Sequence, residues 1–133
     1  MNVIGIIPVR MSSSRFPGKP MKKIHGMPMV GHCYHRTNLA PGIQKTFVAT
    51  CDEEISEYIK SIGGDVIMTS LEHTRATSRT SEALEKIEVK LGEKFDVIVM
   101  VQGDEPLITP KTIGETILFF HDGEIDIVNV MSR

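Results

Sequence analysis

The sequence predicts an α/β fold in which one parallel β-sheet carries helices on both of its faces. Short apolar runs rich in β-branched residues alternate along the chain with segments of helical periodicity. The apolar runs lack the polar alternation of half-exposed strands, which is typical of strands buried on both faces. Strands that alternate with helices favour successive βαβ units, and these build a doubly wound parallel sheet.

The predicted strands are apolar runs bounded by turn residues. They cover residues 3–7, Lys45–Thr50, Asp65–Met68, 96–101 and 126–130. The predicted helices cover residues 28–39, 53–62, 80–91 and 110–120. Gly63 and Gly92 follow two of these helices, and Thr109 with Pro110 supplies a helix cap and a first helical residue.

Composition excludes several classes of protein. A length of 133 residues, with 41% hydrophobic and 24% charged residues, suits one soluble domain with its own core. The net charge of −2 and the absence of Trp give no reason to expect nucleic-acid binding. The first apolar run is too short to span a membrane and lacks signal-peptide features. We therefore expect a cytoplasmic protein without a membrane partner, in which Cys33 and Cys51 are reduced.

The loop after the first predicted strand is rich in cations and hydroxyl groups. Residues 8–20 contain Arg10, Arg15 and Lys19 together with three consecutive serines, 12–14. Open α/β sheets bind ligands outside the carboxyl ends of their strands, and such side chains can hold and neutralise phosphate oxygens. The loop therefore indicates a phosphate site, with an ordinary solvated loop as the alternative. It matches neither the Walker motif nor the dinucleotide fingerprint.

A second polar segment, Gln-Gly-Asp-Glu-Pro at 102–106, directly follows the buried run 96–101. Magnesium takes one or two protein carboxylates and completes its shell with water and phosphate oxygens. Asp104 is the better candidate ligand and Glu105 the weaker one, while plain turn chemistry explains the same composition. The cationic loop on a neighbouring strand end favours the metal interpretation.

A third polar stretch, residues 73–79, precedes a predicted helix at the same edge of the sheet. Local evidence favours a helix cap at Thr77 or Ser78 over a ligand contact. Asp52, which follows the second predicted strand, could likewise face the ligand edge or cap the next helix, and capping is the favoured interpretation.

Together these segments resemble the 3-deoxy-manno-octulosonate (Kdo) cytidylyltransferases, also called CMP-Kdo synthetases. The resemblance covers nearly the whole chain, in order. It opens with IIPVRMSSSRFPGKP at 6–20 and continues through GMPMV at 26–30, VAT at 48–50, Gly63-Gly64, Met68-Thr69, His73 and Arg79 to VQGDEP at 101–106.

The resemblance implies a Rossmann-like sheet with helices on both faces, of the nucleotide-diphospho-sugar transferase type. It implies transfer of CMP from CTP to an acidic sugar, Kdo or a similar 3-deoxy-ulosonic acid, with Mg²⁺ and release of pyrophosphate. The product would serve lipopolysaccharide or surface-polysaccharide synthesis, and a homodimer is compatible with the family.

The resemblance also implies roles for individual residues. Arg15 and Lys19 would stabilise charge at the α-phosphate and the departing pyrophosphate, and Asp104 would bind the metal. His73, Arg79 and Gln102 would line the nucleoside and sugar side. The nucleotide-binding set is Pro8, Val9, Arg10, Met11, Ser12, Ser13, Arg15, Lys19, Gln102 and Asp104.

Three departures from the family pattern keep alternatives open. Residues 76–79 read Ala-Thr-Ser-Arg where the family usually has Gly-Thr-Asp/Glu-Arg, and Val9 replaces a common Ala. Family members are also much longer, with a second half that supplies another metal ligand and much of the sugar pocket. We therefore interpret residues 1–133 as one nucleotide-binding domain, the N-terminal half of a longer cytidylyltransferase. The alternatives are a catalytically inactive nucleotide-binding module or a cytidylyltransferase for another acidic sugar.

Overall fold

A computed structural model of the chain describes residues 2–12, 18–73, 75–103, 108–118 and 120. The strands are β1 (Val3–Pro8), β2 (Lys23–Ile24), β3 (Met27–Pro28), β4 (Lys45–Thr50), β5 (Asp65–Met68) and β6 (Val97–Met100). The helices are α1 (Met29–Asn38), α2 (Glu53–Ser61), α3 (Ala76–Leu91) and α4 (Pro110–Leu118), and a 3₁₀ turn covers Lys19–Met21.

The main sheet is parallel, as the sequence predicts. Its order is β5-β4-β1-β6, and each neighbouring pair runs in the same direction. From β1 the chain moves outward to β4 and β5, and then crosses to β6 on the opposite side of β1. The strand order therefore reverses between β1 and β6, which is the switch point where open α/β sheets form their ligand crevice.

Helices cover both faces of this sheet because the side chains of β1 alternate between two apolar clusters. Val3 and Ile7 pack in the cluster that contains residues of α1, α2 and α4. Ile4 and Ile6 pack in the other cluster, which contains Ala83 and Ile87 of α3. All six residues of β1 are buried, as expected for an interior strand of a doubly covered sheet.

The helix boundaries agree with the predictions except at α3. This helix begins at Ala76, four residues before the predicted start, and the residue at its N-cap position is Arg75, with no capping bond from its side chain. The predicted cap at Thr77 or Ser78 is therefore wrong. The hydroxyl of Ser78 instead donates to the Arg75 carbonyl at 3.0 Å, which leaves it inside the first turn.

The hairpin of β2 and β3 was not predicted from the sequence. His25 and Gly26 form its turn with positive φ angles of 51° and 81°. His32 on α1 fixes the hairpin, because its Nε2 lies 2.7 Å from the Ile24 carbonyl. The hairpin lies between the loop that follows β1 and the start of α1.

Cys33 is buried and Cys51 is half-buried, and the two do not form a disulfide in the described part of the chain. Among the described residues, no helix has the length and apolar character needed to cross a membrane. The predicted strand at 126–130 lies outside the described residues.

Gly5 is required by close packing in the centre of the sheet. A Cβ at this position would lie 2.7 Å from Cγ2 of the buried Thr37. We expect Gly5→Ala to lower the free energy of unfolding by about 1–3 kcal/mol, the usual cost of overpacking. Thr37→Ser removes the obstructing methyl and keeps the hydroxyl bond to the Cys33 carbonyl.

Urea unfolding of the wild type, both single variants and the double variant measures this effect. The double variant should recover part of the stability that Gly5→Ala loses. If the two losses simply add, the contact with Thr37 is not the cause.

Candidate nucleotide-binding site

The candidate site lies at the carboxyl edge of the sheet. Because the four strands are parallel, the segments that follow them meet there. These segments are residues 9–12 after β1, 51–52 after β4, 69–73 after β5 and 101–103 after β6. The structure therefore brings together the described parts of the three polar segments that the sequence singled out.

The first loop is closed at its base by Met11. The Gly18 amide donates to the Met11 carbonyl at 2.8 Å, so residues 11 and 18 are held together. The Met11 amide donates in turn to Oδ2 of Asp52 at 2.8 Å. Asp52 occupies the N-cap position of α2, but its side chain makes no capping bond. Asp52 thus stands at the predicted cap position, but its carboxylate bonds the loop after β1 at the ligand edge instead of the helix.

Pro8 and Val9 shape the loop through packing. Pro8 ends β1 and is buried, and Val9 is 7% exposed within the core. The Val9 amide donates to the Ala49 carbonyl at 3.0 Å, which extends the pairing of β1 with β4. With both side chains buried, a ligand at this point would meet the main chain.

Two arginines converge on the backbone oxygen of His73. Arg10 Nη1 donates to this oxygen at 3.4 Å and Arg79 Nη2 at 3.5 Å. Arg79 also donates to Thr69 Oγ1 at 2.5 Å and to the Ser70 carbonyl at 3.4 Å. Arg79 is only 3% exposed, yet within the described part of the chain no carboxylate pairs with it. A buried cation with neutral partners alone is costly, so this place suits an anion.

The imidazole of His73 is engaged on both sides by α3. Its Nε2 lies 2.6 Å from Oε1 of Glu82, and its Nδ1 lies 3.0 Å from the Ser78 hydroxyl. The Glu82 carboxylate also accepts bonds from the Lys86 ammonium at 2.9 Å and from the Ser70 amide at 3.1 Å. His73 therefore fixes the loop that follows β5, and a ligand contact through its ring would require one of these bonds to break.

These bonds also change the acidity of Glu82. The hydrogen bond from Lys86, followed by that from His73, lowers the pKa of Glu82 from 4.5 to about 2. Glu82 was not among the residues selected from the sequence. Its position four residues before Lys86 on α3, and nine after His73, is the signal that could have suggested it.

Helix α1 holds the segment after β6 at both ends. Cys33 Sγ lies 3.4 Å from the Gly103 carbonyl, and Arg36 Nη1 donates to the Ile108 carbonyl at 3.4 Å. Gln102 is half-buried at the start of this segment. Asp104 and Glu105, the predicted metal ligands, lie outside the described residues.

Of the remaining predicted site residues, some lie within the described part of the chain and others lie outside it. Ser12 is exposed beside Met11, and Lys19 begins the 3₁₀ turn directly after Gly18. Ser13 and Arg15 lie outside the described residues. Over the described ranges, no group of three or more His, Cys, Asp or Glu side chains has the geometry of a metal site.

A parallel sheet with arginine-bearing loops at its carboxyl edge defines a class of protein, the open α/β proteins, whose ligand sites lie outside the strand ends. Comparison with known proteins identifies the family within that class. The sequence profile of the cytidylyltransferases matches residues 4–128, so the chain belongs to the cytidylyltransferase family.

Individual relatives agree with this assignment. The 8-amino-3,8-dideoxy-manno-octulosonate cytidylyltransferase of Shewanella sp. (strain ANA-3) is 41% identical over 132 residues, which is 98% of this chain and 53% of the relative. A CMP:2-keto-3-deoxy-manno-octonic acid synthetase complexed with CTP superposes with a TM-score of 0.81 at 33% identity, over 93% of this chain and 49% of the other. A cytidylyltransferase from Leptospira borgpetersenii serovar Hardjo-bovis (strain JB197) gives a TM-score of 0.76 at 26% identity, over 92% and 50%. The chain thus spans about half the length of the relatives it matches.

The lowered pKa of Glu82 predicts a pH-dependent contribution to stability. A carboxyl whose pKa is depressed in the folded state stabilises that state above its unfolded pKa, here 4.5, and loses the effect as pH falls through about 2. We expect Glu82→Gln to reduce the free energy of unfolding at pH 7 by about 1–2 kcal/mol.

Denaturant unfolding at pH 7 and at pH 3 measures the effect, with the exposed Glu85→Gln on the same helix as the control. The difference between wild type and Glu82→Gln should shrink at pH 3, while Glu85→Gln should follow the wild type. An equal loss at both pH values would contradict the charge-based explanation.

Proposed function

We propose that this chain is the nucleotide-binding domain, residues 1–133, of a cytidylyltransferase that transfers CMP from CTP to a 3-deoxy-ulosonic acid. The observation that carries the proposal is the convergence of Arg10 and Arg79 on the backbone oxygen of His73 at the carboxyl edge of the sheet. Family membership and the likeness to a synthetase complexed with CTP support cytidine triphosphate as the nucleotide.

The proposed reaction is attack of a sugar hydroxyl oxygen on the α-phosphorus of CTP. A new P–O bond forms, the bond to the β-phosphate breaks, and pyrophosphate leaves while the hydroxyl proton passes to solvent. The protein itself takes little part in the covalent chemistry. Its contribution is to position the two substrates and to stabilise the charge on the phosphates. Arg10, Arg15 and Lys19 would neutralise the triphosphate, and Arg15 and Lys19 the charge on departing pyrophosphate.

The magnesium site belongs to the same proposal. Mg²⁺, when bound, would neutralise phosphate oxygens and orient the triphosphate. Asp104 would hold it, and Gln102, half-buried at the strand end, would lie between nucleotide and sugar. A single carboxylate such as that of Asp104 suits Mg²⁺, which takes few protein carboxylates and completes its shell with water and substrate oxygens.

The acceptor is proposed to be an acidic sugar of the Kdo type. Arg79 supports this choice because its buried guanidinium has only neutral partners within the described residues. The relatives named for an 8-amino-3,8-dideoxy-manno-octulosonate point to an amino-sugar variant as one acceptor to test. We propose a cytoplasmic enzyme that supplies lipopolysaccharide or surface-polysaccharide synthesis, with CTP and the sugar as partners and a homodimer as its assembly.

A second candidate function is a nucleotide-binding module without turnover. The observation that favours it is the sequence Ala-Thr-Ser-Arg at 76–79, which lacks the acidic residue that the family usually carries before the arginine. Pyrophosphate release with CTP and either Kdo or its 8-amino analogue separates the two candidates. Turnover by the 133-residue chain supports the enzyme, and CTP binding without turnover supports the module.

Replacement of Arg10 tests the nucleotide site directly. We expect Arg10→Ala to weaken CTP binding about tenfold in the presence of Mg²⁺, because a charged hydrogen-bond donor to phosphate is lost. Isothermal titration calorimetry measures the affinity. Lys90→Ala, an exposed cation in the last turn of α3, is the charge-matched control and should bind as the wild type does. Equal affinity in Arg10→Ala and the wild type would contradict the assigned site.

A further inference from the structure

Asp52 connects two strand ends of the sheet. It follows β4, the neighbour of β1, and its carboxylate reaches across to the loop that follows β1. Oδ2 accepts the Met11 amide at 2.8 Å in a half-buried environment. The bond joins residues 41 positions apart in the sequence, so it fixes the relation between two separate loops.

The position of Asp52 is itself fixed by its main chain. Its amide donates to Thr50 Oγ1 at 3.1 Å, and its carbonyl accepts the Ser56 amide at 3.1 Å in the first turn of α2. The side chain is not used to cap that helix. The carboxylate is therefore held by a rigid element and is available to the neighbouring loop.

Met11 is bonded through both of its backbone polar groups. Its amide meets Asp52, and its carbonyl accepts the Gly18 amide at 2.8 Å. Arg10 precedes this anchored residue, and Lys19 follows the closing glycine. The orientation of both cations therefore depends on where Met11 is held.

We propose that Asp52 is a positioning residue, which tethers the base of the first loop so that Arg10 and Lys19 face the triphosphate. The nucleotide part of this inference rests on the proposed function. The tether needs an acceptor oxygen at this place, and the negative charge itself would repel phosphate. Asparagine offers the same acceptor without the charge, whereas alanine offers none.

Two measurements on the intact chain test the proposal. The first is hydrogen exchange of the Met11 amide without nucleotide, and the second is CTP affinity by calorimetry with Mg²⁺. We expect Asp52→Ala to accelerate the exchange at least about tenfold and to weaken CTP binding about tenfold, as for loss of a charge-assisted bond. Asp52→Asn should remain within about threefold of the wild type in both measurements, because a neutral acceptor retains most of the bond.

The control is Glu53→Gln, which removes a neighbouring exposed carboxylate from the first turn of α2 without touching the loop. If the Met11 amide exchanges at the wild-type rate in Asp52→Ala, the proposed tether is overturned. The proposal is also overturned if Asp52→Asn binds CTP as weakly as Asp52→Ala does. The negative charge of Asp52, and not its acceptor oxygen, would then be what CTP binding requires. If the wild type does not bind CTP, the proposed function fails, and the exchange of Met11 in the two variants alone decides whether the tether exists.

Discussion

The parallel pairing of β1 with β4 on one side and with β6 on the other sets the position of every loop at the candidate site. β1 is buried on both faces and cannot shift its register without moving apolar side chains into the wrong layer. The three strands end at a common edge, so the loops that follow them are brought together whatever their own sequences. The position of the candidate site therefore depends on a strand whose own side chains are buried.

Side chains of the helices also fix the positions of these loops, through bonds made from outside the sheet. Helix α1 contacts both ends of the segment after β6 through Cys33 and Arg36. Helix α3 holds the loop after β5 through Glu82, and Asp52 at the start of α2 holds the loop after β1. These three helices thus combine a face packed on the sheet with one or two side chains directed to a loop, which is how a rigid scaffold positions its connecting segments.

The sequence was sufficient to predict the four described strands of the parallel sheet and the polar segments that follow them, because both are local signals. The hairpin at β2 and β3 escaped prediction because strands of two residues have no measurable periodicity, and His25 is an unusual residue for a positive φ. Sequence analysis named Asp52 but could not identify its partner Met11, because the two residues lie 41 positions apart. It did not select Glu82, because the bond from His73 comes from a loop outside α3. A carboxylate next to a helix start has two local explanations, and only the three-dimensional contact with Met11 shows where its side chain is directed.

Val9 and Gly103 pack closely where β1 and β6 end. A Cβ at Gly103 would lie 2.6 Å from Cγ2 of Val9, so the valine occupies the volume that a side chain at 103 would need. A smaller residue at position 9 would leave part of that volume free. With valine present, any side chain at 103 would force one of the two strand ends to shift. Apolar packing of Val9 therefore sets how closely these two strand ends approach each other.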